Sequence, residues 1–303
     1  MSTMSPEGTC PLCGSSGFAV KYVLPDKNFR TVTCGKCSFT FMHPYPSDEF
    51  LDEYYKNKDV HGLEGDSAEA YARPLGDRLV LFGSLLKKIE PALAGGYAVD
   101  FGAGAGVAVA ALKKLGFDAI GTEKNPRSAE VARNLFGVEI VDKTLDELPG
   151  GIRLFTMFDV LEHIKYPVEF LRYVTSRMSA DACMIGAVPN YHSIGRVLHG
   201  TDSASLAFPD HVSQFTKKTL VKTLSESGFD VLYVGFPPPY GATFTLRLRN
   251  RLARTYKPSL LLTVAIKTLT WVKKHLVYPL PNLFAEQTGL LGQSLVFVAR
   301  KKT

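Results

Sequence analysis

Tyr97-Ala-Val-Asp-Phe-Gly-Ala-Gly-Ala-Gly106 leads from a short apolar run through three alternating glycines into the apolar stretch Val107–Leu115. The pattern predicts a strand, a glycine turn and a helix. Such a turn brings backbone N–H groups and the positive end of a helix close to a ligand. Glycines at 102, 104 and 106 remove side chains that would block that approach. A second strand is expected over Asp118–Thr122, ending in Glu123, 21 residues past Gly102. An acid about 20 residues beyond the first glycine is placed to accept hydrogen bonds from both hydroxyls of a ribose.

A glycine triplet alone also suits nicotinamide or flavin binding. Two details favour S-adenosylmethionine. Asp100 stands two residues before the first glycine, where a dinucleotide fold usually carries an apolar residue, and an acid suits the ammonium end of this cofactor. The rhythm is Gly-x-Gly-x-Gly, without the extra spacing that packs a helix against a pyrophosphate, a group this cofactor lacks.

Upstream, four of the five cysteines form two pairs, Cys10-Pro-Leu-Cys13 and Cys34-Gly-Lys-Cys37. Two such knuckles, with strands expected at Phe18–Leu24 and Phe29–Thr33 between them, can set four thiolates around one tetrahedral Zn²⁺. Gly14 and Gly35 supply the left-handed backbone that lets N–H groups point at sulfur. Disulfides are disfavoured in a reducing compartment, and redox use needs one pair beside a βαβ unit. With every position filled by thiolate, the metal is structural: so short a segment cannot bury enough core to fold unaided. Cys183, in the run Cys183–Val188, is expected in the core.

Between the cysteines and the glycine turn, helical periodicity appears at Phe50–Tyr55 and again from Leu75 to Ile89, with Gly95-Gly96 as its stop. Downstream, Phe155-Thr-Met-Phe-Asp-Val-Leu-Glu-His-Ile164 predicts a strand leading into a helix. An amphipathic stretch (Val168–Met178), a strand ending in Val-Pro-Asn190, the segment His211–Thr216, a helix over Lys217–Ser227 and a last strand over Ser294–Ala299 follow.

Apolar residues make up 46% of the chain, which excludes wholesale disorder. The net charge of +6 is mild, but its distribution is uneven. From Tyr240 onward eleven basic residues face one acid, Glu286, so the rest of the chain is slightly acidic. The tail hints at a polyanion, an anionic lipid surface or an acidic substrate, or else a solvated helix face. Its apolar residues, Leu260 to Leu276, recur at near-helical spacing with Lys267, Lys273 and Lys274 between them, as in a helix lying on a membrane surface, capping a pocket or forming a dimer contact. Met1–Thr9 lacks the basic start and apolar stretch of a signal peptide. The longest apolar run near the end falls short of the roughly 20 residues that span a bilayer. The protein is therefore expected in the cytoplasm, with contact to the inner face of the membrane as an option.

This order of motifs resembles class I S-adenosylmethionine-dependent methyltransferases, in particular the bacterial branch in which a zinc ribbon precedes the methyltransferase domain. Asp159-Val-Leu-Glu-His163 is similar to the motif of ubiquinone-biosynthesis O-methyltransferases. The resemblance covers roughly residues 8–300. It implies an α/β, Rossmann-like fold: a seven-stranded, mostly parallel sheet with helices on both faces, the last strand antiparallel, and the cofactor at the carboxyl ends of the strands. The division expected is a zinc ribbon (1–45), a helical linker or cap (46–95) and a methyltransferase domain (96–303) with a basic amphipathic insertion at about 245–285. One departure is that Ile152-Arg153 stands where such proteins usually have Phe-Asp, which puts cofactor contacts near that strand in doubt.

The resemblance puts Asp100, Gly102, Gly104 and Gly106 around the methionine part, Glu123 on the ribose, Asp142 near adenine and Asp159 facing the methyl group. Strand-end acids also cap helices, so each has a structural alternative. Methyl transfer to a hydroxyl needs alignment near 3 Å and is helped by a base. His163 and His211 are the candidates. His163 is expected to serve first as a hydrogen bonder at a helix start. His211 follows a Ser-, Asp- and Pro-containing loop of the kind that covers active sites. His192 and His199 are weaker choices. The leading reading is O-methylation of a small hydroxylated acceptor, a sugar, glycan precursor or secondary metabolite. The alternatives are an RNA methyltransferase and a non-catalytic zinc-ribbon adaptor. The ribbon has few basic residues and no aromatic platform, which argues against nucleic acid; the intact glycine turn and Glu123 argue against an adaptor.

Overall fold

The computed structural model describes residues 8–24, 29–57, 68–89, 93, 95–200, 203, 206–237 and 292–303. The chain begins with β1 (Phe18–Val23), β2 (Arg30–Cys34) and β3 (Thr40–His43), then α1 (Asp48–Asn57) and α2 (Ala68–Leu86). Alternation follows: β4 (Gly96–Phe101), α3 (Val107–Lys114), β5 (Phe117–Thr122), α4 (Pro126–Phe136), β6 (Ile140–Val141), β7 (Ile152–Phe158), α5 (Pro167–Arg177) and β8 (Met178–Pro189). Next come α6 (Ile194–His199), β9 (Ser213–Gln214), α7 (Lys217–Glu226), β10 (Phe229–Gly235) and β11 (Ser294–Lys301).

Seven strands form one sheet in the order β10-β11-β8-β7-β4-β5-β6. The pairs β4–β5, β4–β7, β5–β6 and β7–β8 are parallel. β11 runs antiparallel to both β8 and β10. This is the α/β sheet expected, antiparallel last strand included. Both faces are buried, so neighbouring residues of a strand join opposite cores. Val99, Phe155, Met184 and Phe297 pack on the face covered by Leu171 and Val174 of α5 and Leu220 and Leu224 of α7. Ala98, Leu154, Ile185 and Val296 pack on the other, against Leu81, Phe82 and Leu85 of α2 and the apolar side of α3. Cys183 is fully buried in this second core.

The second sheet has the order β1-β2-β3-β9. Its first two strands are those expected between the cysteine pairs, and the third, β3, follows Cys37 and was not anticipated. The fourth, pairing Thr40 with Gln214 and Phe41 with Ser213, comes from the segment after His211. The two sheets share one core: Phe39 meets Phe215 at 5.4 Å between ring centroids, and Cys10, Val32 and Phe41 belong to the same cluster as Phe155 and Leu220.

Two expectations need correction, a further strand went unread and one segment lies outside the described residues. The helix expected to end at Gly95-Gly96 ends at Leu86, where bonds from Lys88 N to Leu85 O and Ile89 N to Leu86 O tighten and close it. Gly96 instead opens β4, at φ 105°, where a Cβ would lie 2.8 Å from Arg153 Cδ. Asp159–His163 does not lead straight into a helix: after a left-handed Asp159 (φ 56°) only a short 3-10 turn, Leu161–His163, forms before Pro167 starts α5. β10 was not anticipated; it is an edge strand, and Leu232 on it is partly exposed. The basic amphipathic segment at about 245–285, including the residues from Arg247 to Tyr278, lies outside the described residues. Among those described, no helix is long and apolar enough to cross a membrane.

Candidate active site

Parallel pairing brings the carboxyl ends of β4, β5, β6 and β7 to one edge of the sheet. Asp100, Glu123, Asp142 and Asp159 all sit at this edge, on four adjacent strands. Three of them, with the glycine turn, surround the space above β4; Asp142 is exposed beyond β6.

The turn hangs from β5. Gly102 N and Ala103 N both donate to Thr122 O at 2.9 Å, and Gly104 N donates to Glu123 Oε2 at 3.1 Å. Gly102, Gly104 and Gly106 all adopt positive φ (71°, 50° and 76°), a region other residues rarely occupy. Their surroundings differ. A Cβ on Gly102 would strike Val160 at 2.6 Å, and one on Gly106 would strike Ala132 and Val138 at 2.7 and 2.9 Å. Only Gly104 would meet nothing within 4 Å. Gly102 and Gly106 therefore let protein elements approach, while Gly104 presents bare backbone to open space. Glu123 Oε1 also accepts from Asn125 N at 2.9 Å, and Asn125 Oδ1 caps α4. Each carboxylate oxygen keeps a lone pair for a further donor.

Asp100 is 3% exposed, and Thr156 Oγ1 donates to its Oδ1 at 2.6 Å. Burial raises its pKa to about 6, against the opposing hydroxyl of Thr156 and the charge of Arg78. Asp159 is exposed, but the surrounding protein raises its pKa too, with Arg78 and His211 acting the other way. Arg78, whose guanidinium lies 3.7 Å from the Phe158 ring centroid, is thus a charge that the sequence reading did not assign to the site.

Beyond β7, three side chains from two segments meet. Glu162, His163 and His211 each offer a ligand atom within 4.8 Å of the others. His211 Nε2 lies 3.9 Å from Glu162 Oε1, and the two imidazoles meet edge to face at 5.0 Å. His163 closes the 3-10 turn and bonds the Asp210 carbonyl through Nδ1 at 2.9 Å, so it does not serve at a helix start. Burial, and then the neighbouring Asp159 charge, hold the pKa of Glu162 well above the usual carboxylate range. Glu162 stood inside the quoted motif without a role; the signal was a lone acid between apolar Leu161 and the pair His163-Ile164. His192 lies apart at the start of α6, with its pKa lowered by burial and Arg196. An open groove of ≈ 430 Å³ is lined by His163, by Leu51 of α1 and by Tyr166 and Phe170 at the start of α5.

Ile152-Arg153, the departure noted above, begins β7 and so lies at the edge of the sheet opposite Asp159. Six residue steps of about 3.3 Å separate them from the cleft.

The four paired cysteines converge as well. Cys10 Sγ and Cys37 Sγ are 3.5 Å apart, Cys13 Sγ and Cys34 Sγ 3.6 Å, and all four atoms lie within 4.8 Å of one another. A tetrahedral ion with Zn–S near 2.3 Å asks for sulfur separations of about 3.8 Å. Backbone N–H groups of Leu12 and Cys13 face Cys10, and those of Lys36 and Cys37 face Cys34. Gly14 has the left-handed backbone expected, but in the second knuckle Ser38 takes it (φ 63°), since both knuckles turn at the residue after the second cysteine. Burial pushes the Cys10 thiol up. Four thiolates packed this closely need a cation to hold their charge, and the donor set fits zinc.

A family model described as a methyltransferase domain matches residues 72–234, from within α2 to the end of β10. The chain belongs to this methyltransferase family. It is an enzyme that uses S-adenosylmethionine as methyl donor. No curated protein matches its sequence. Among solved structures, the plantazolicin methyltransferase BpumL, in complex with SAH, is 12% identical, with 83% of this chain and 93% of that one covered at a TM-score of 0.50. A SAM-dependent methyltransferase from Archaeoglobus fulgidus is 18% identical (84% and 100% covered, TM-score 0.49). Magnesium protoporphyrin IX methyltransferase from Synechocystis PCC 6803 is 14% identical (84% and 95%, 0.47). At these identities the likeness is one of fold.

The raised pKa of Asp100 in this methyltransferase has a defined consequence. A carboxyl whose folded pKa exceeds its unfolded value stabilises the fold fully below the unfolded pKa, and this contribution is lost as pH rises through the folded value. For Asp100 the window runs from about pH 4 to about 6. In cofactor-free protein, Asp100→Asn is expected to gain roughly 2–3 kcal/mol relative to wild type between pH 4 and pH 7. Urea unfolding at the two pH values measures this; an unchanged difference refutes it.

Proposed function

We propose that the glycine turn and the strand-end acids hold S-adenosylmethionine, and that the methyl group passes to an oxygen of a small hydroxylated acceptor. Asp100 receives the ammonium of the methionine part, Gly104 offers bare backbone beside it, Glu123 accepts the ribose hydroxyls and Asp142 lies toward the adenine. The observation that carries this reading is the braced turn. Gly104 and Glu123 are hydrogen-bonded to each other and share one open space, with Asp100 buried behind them. The cofactor supplies a methyl group on a sulfonium, a leaving group that needs no further activation.

What remains for the protein is alignment, exclusion of water and removal of the acceptor's proton. Asp159, at the end of β7, faces the transferring group. His211 and His163 stand beyond it on the acceptor side. His211 is 13% exposed by its side chain and lies beside the Glu162 carboxylate, a setting suited to a base or an acceptor contact. The acceptors considered are sugars, glycan precursors and secondary metabolites. The sparse basic residues of the ribbon do not favour nucleic acid.

In this reading residues 1–45 form a zinc ribbon held by Cys10, Cys13, Cys34 and Cys37, residues 46–95 a helical cap and residues 96–303 the methyltransferase domain. The ribbon shapes the acceptor side because its β3 carries β9, and Met42 N donates to Val212 O next to His211. The basic tail gives the cytoplasmic enzyme an affinity for an anionic acceptor or membrane face.

Three measurements test these assignments. Glu123→Ala removes a carboxylate that accepts two charged hydrogen bonds, each worth ~1.5–3 kcal/mol, so calorimetry is expected to show S-adenosylmethionine binding at least tenfold weaker. Unchanged affinity in a folded variant rules the site out. Metal analysis is expected to find one zinc per chain, lost in Cys34→Ser; a metal-free wild type that stays folded contradicts the ribbon. Sedimentation with anionic vesicles is expected at low salt and to fade at high salt. Equal binding to neutral vesicles excludes the electrostatic role of the tail.

A further inference from the structure

Arg196 of α6 brings a positive charge that no carboxylate of the described residues pairs with. Its place is set by backbone. β8 ends beside β7, with Ala187 opposite Phe158, so the residues after β8 emerge at the same edge as Asp159. Tyr191 N then donates to Phe215 O at 2.8 Å, in the segment that follows His211. From α6 the Arg196 side chain reaches Tyr22 of β1. The residues after β8 thus touch both the ribbon and the segment that carries His211.

The guanidinium is held in place but not used up. Nε donates to Tyr191 O at 2.7 Å and Nη1 to Tyr22 Oη at 2.9 Å, with Cζ 4.5 Å from the centroid of the Tyr191 ring. An arginine has five N–H bonds, so with two engaged three remain. The side chain is half-buried, which weakens its hydration. Two phenols adjoin it. Tyr22 accepts from Arg196 and keeps its own O–H to donate. Tyr191 is 5% exposed, and its Oη has no hydrogen-bond partner among the described residues. Tyr22 and Thr40 approach that hydroxyl without hydrogen-bond geometry. A buried hydroxyl left in this way is costly unless a ligand or water answers it.

We propose that Arg196, Tyr22 and Tyr191 form an oxyanion subsite that anchors a phosphate monoester carried by the acceptor. A fixed guanidinium edge matches two oxygens of such a group at once. A carboxylate offers only two oxygens. Three N–H and two O–H donors suit the three terminal oxygens of a phosphate better. The basic sequence from Tyr240 onward, eleven cations against one acid, favours the approach of an anion. Resting on the methyl-transfer reading above, the subsite narrows the acceptor to a soluble hydroxylated compound that bears a phosphate. Arg196 then sets specificity away from the reacting oxygen: it holds the far end of the acceptor while the hydroxyl meets the methyl group.

His192, exposed at the start of α6, reports occupancy. Burial, and then the Arg196 charge, hold its pKa below the usual value, and a bound phosphate offsets that charge. The test is an NMR titration of His192 in the full chain at constant ionic strength, with inorganic phosphate, glucose 1-phosphate and glucose. Both phosphates are expected to raise the His192 pKa and glucose to leave it unchanged. Arg196→Gln is expected to lose the response, with phosphate binding at least tenfold weaker by calorimetry. A wild-type His192 that ignores both phosphates overturns the subsite whether or not the variant folds. Equal affinity in Arg196→Gln does so too, since the phosphate then sits elsewhere. A response to inorganic phosphate alone marks an adventitious ion and overturns the acceptor role. Wild type and Arg196→Gln are expected to sediment equally with phosphatidic acid vesicles; a loss in the variant overturns the soluble source. Calorimetry of S-adenosylmethionine on the same preparation reads the glycine turn separately. Cofactor binding without a phosphate response sinks only the subsite, and the converse sinks only the cofactor assignment.

Discussion

Everything at the candidate site follows from the parallel pairing of β4 with β5 on one side and β7 on the other. Parallel neighbours release their carboxyl ends at the same edge, so each strand delivers its next residue to a common cleft. Asp100 falls within the last turn of backbone before the glycines, Glu123 directly after β5 and Asp159 directly after β7. The left-handed glycines then lie across the end of β5, held by the two bonds to Thr122 O. A slip of one residue in either pairing would turn Asp100 to the opposite face and separate Glu123 from Gly104.

The ribbon is joined to this frame by backbone as well as side chains. β9 completes the ribbon sheet, and Tyr45 Oη donates to Lys165 O at 2.9 Å, just after His163. Both histidine-bearing segments are thus fastened to β3 or to the residues following it. Arg196 Nη1 adds a bond to Tyr22 Oη from α6. A module with little core of its own is thus tied by hydrogen bonds to the segments that carry His163 and His211.

Buried carboxylates mark the site as a place where stability yields to chemistry. Asp100 and Glu162 sit where burial opposes their charge, and neither has a basic residue within hydrogen-bonding distance among the described residues. Such positions are tolerated where a ligand supplies the missing partner.

The sequence by itself determined the features that short chain segments dictate. One strand, turn, helix and strand fit between Asp100 and Glu123, so spacing alone set the glycine turn against its acid. Two Cys-x-x-Cys knuckles joined by a hairpin fixed the four-sulfur cluster for the same reason. Tertiary structure decided what depends on segments far apart in the chain. No local pattern revealed that Ser213-Gln214 would extend the ribbon sheet, because two residues carry no periodicity. β10 was equally faint, being a partly exposed edge strand whose partner β11 lies far along the chain. Glu162 reads locally as a polar residue of a turn. Only the return of the chain to bring His211 beside His163, fixed by the Asp210 carbonyl and the β3–β9 pairing, makes it the buried centre of a cluster.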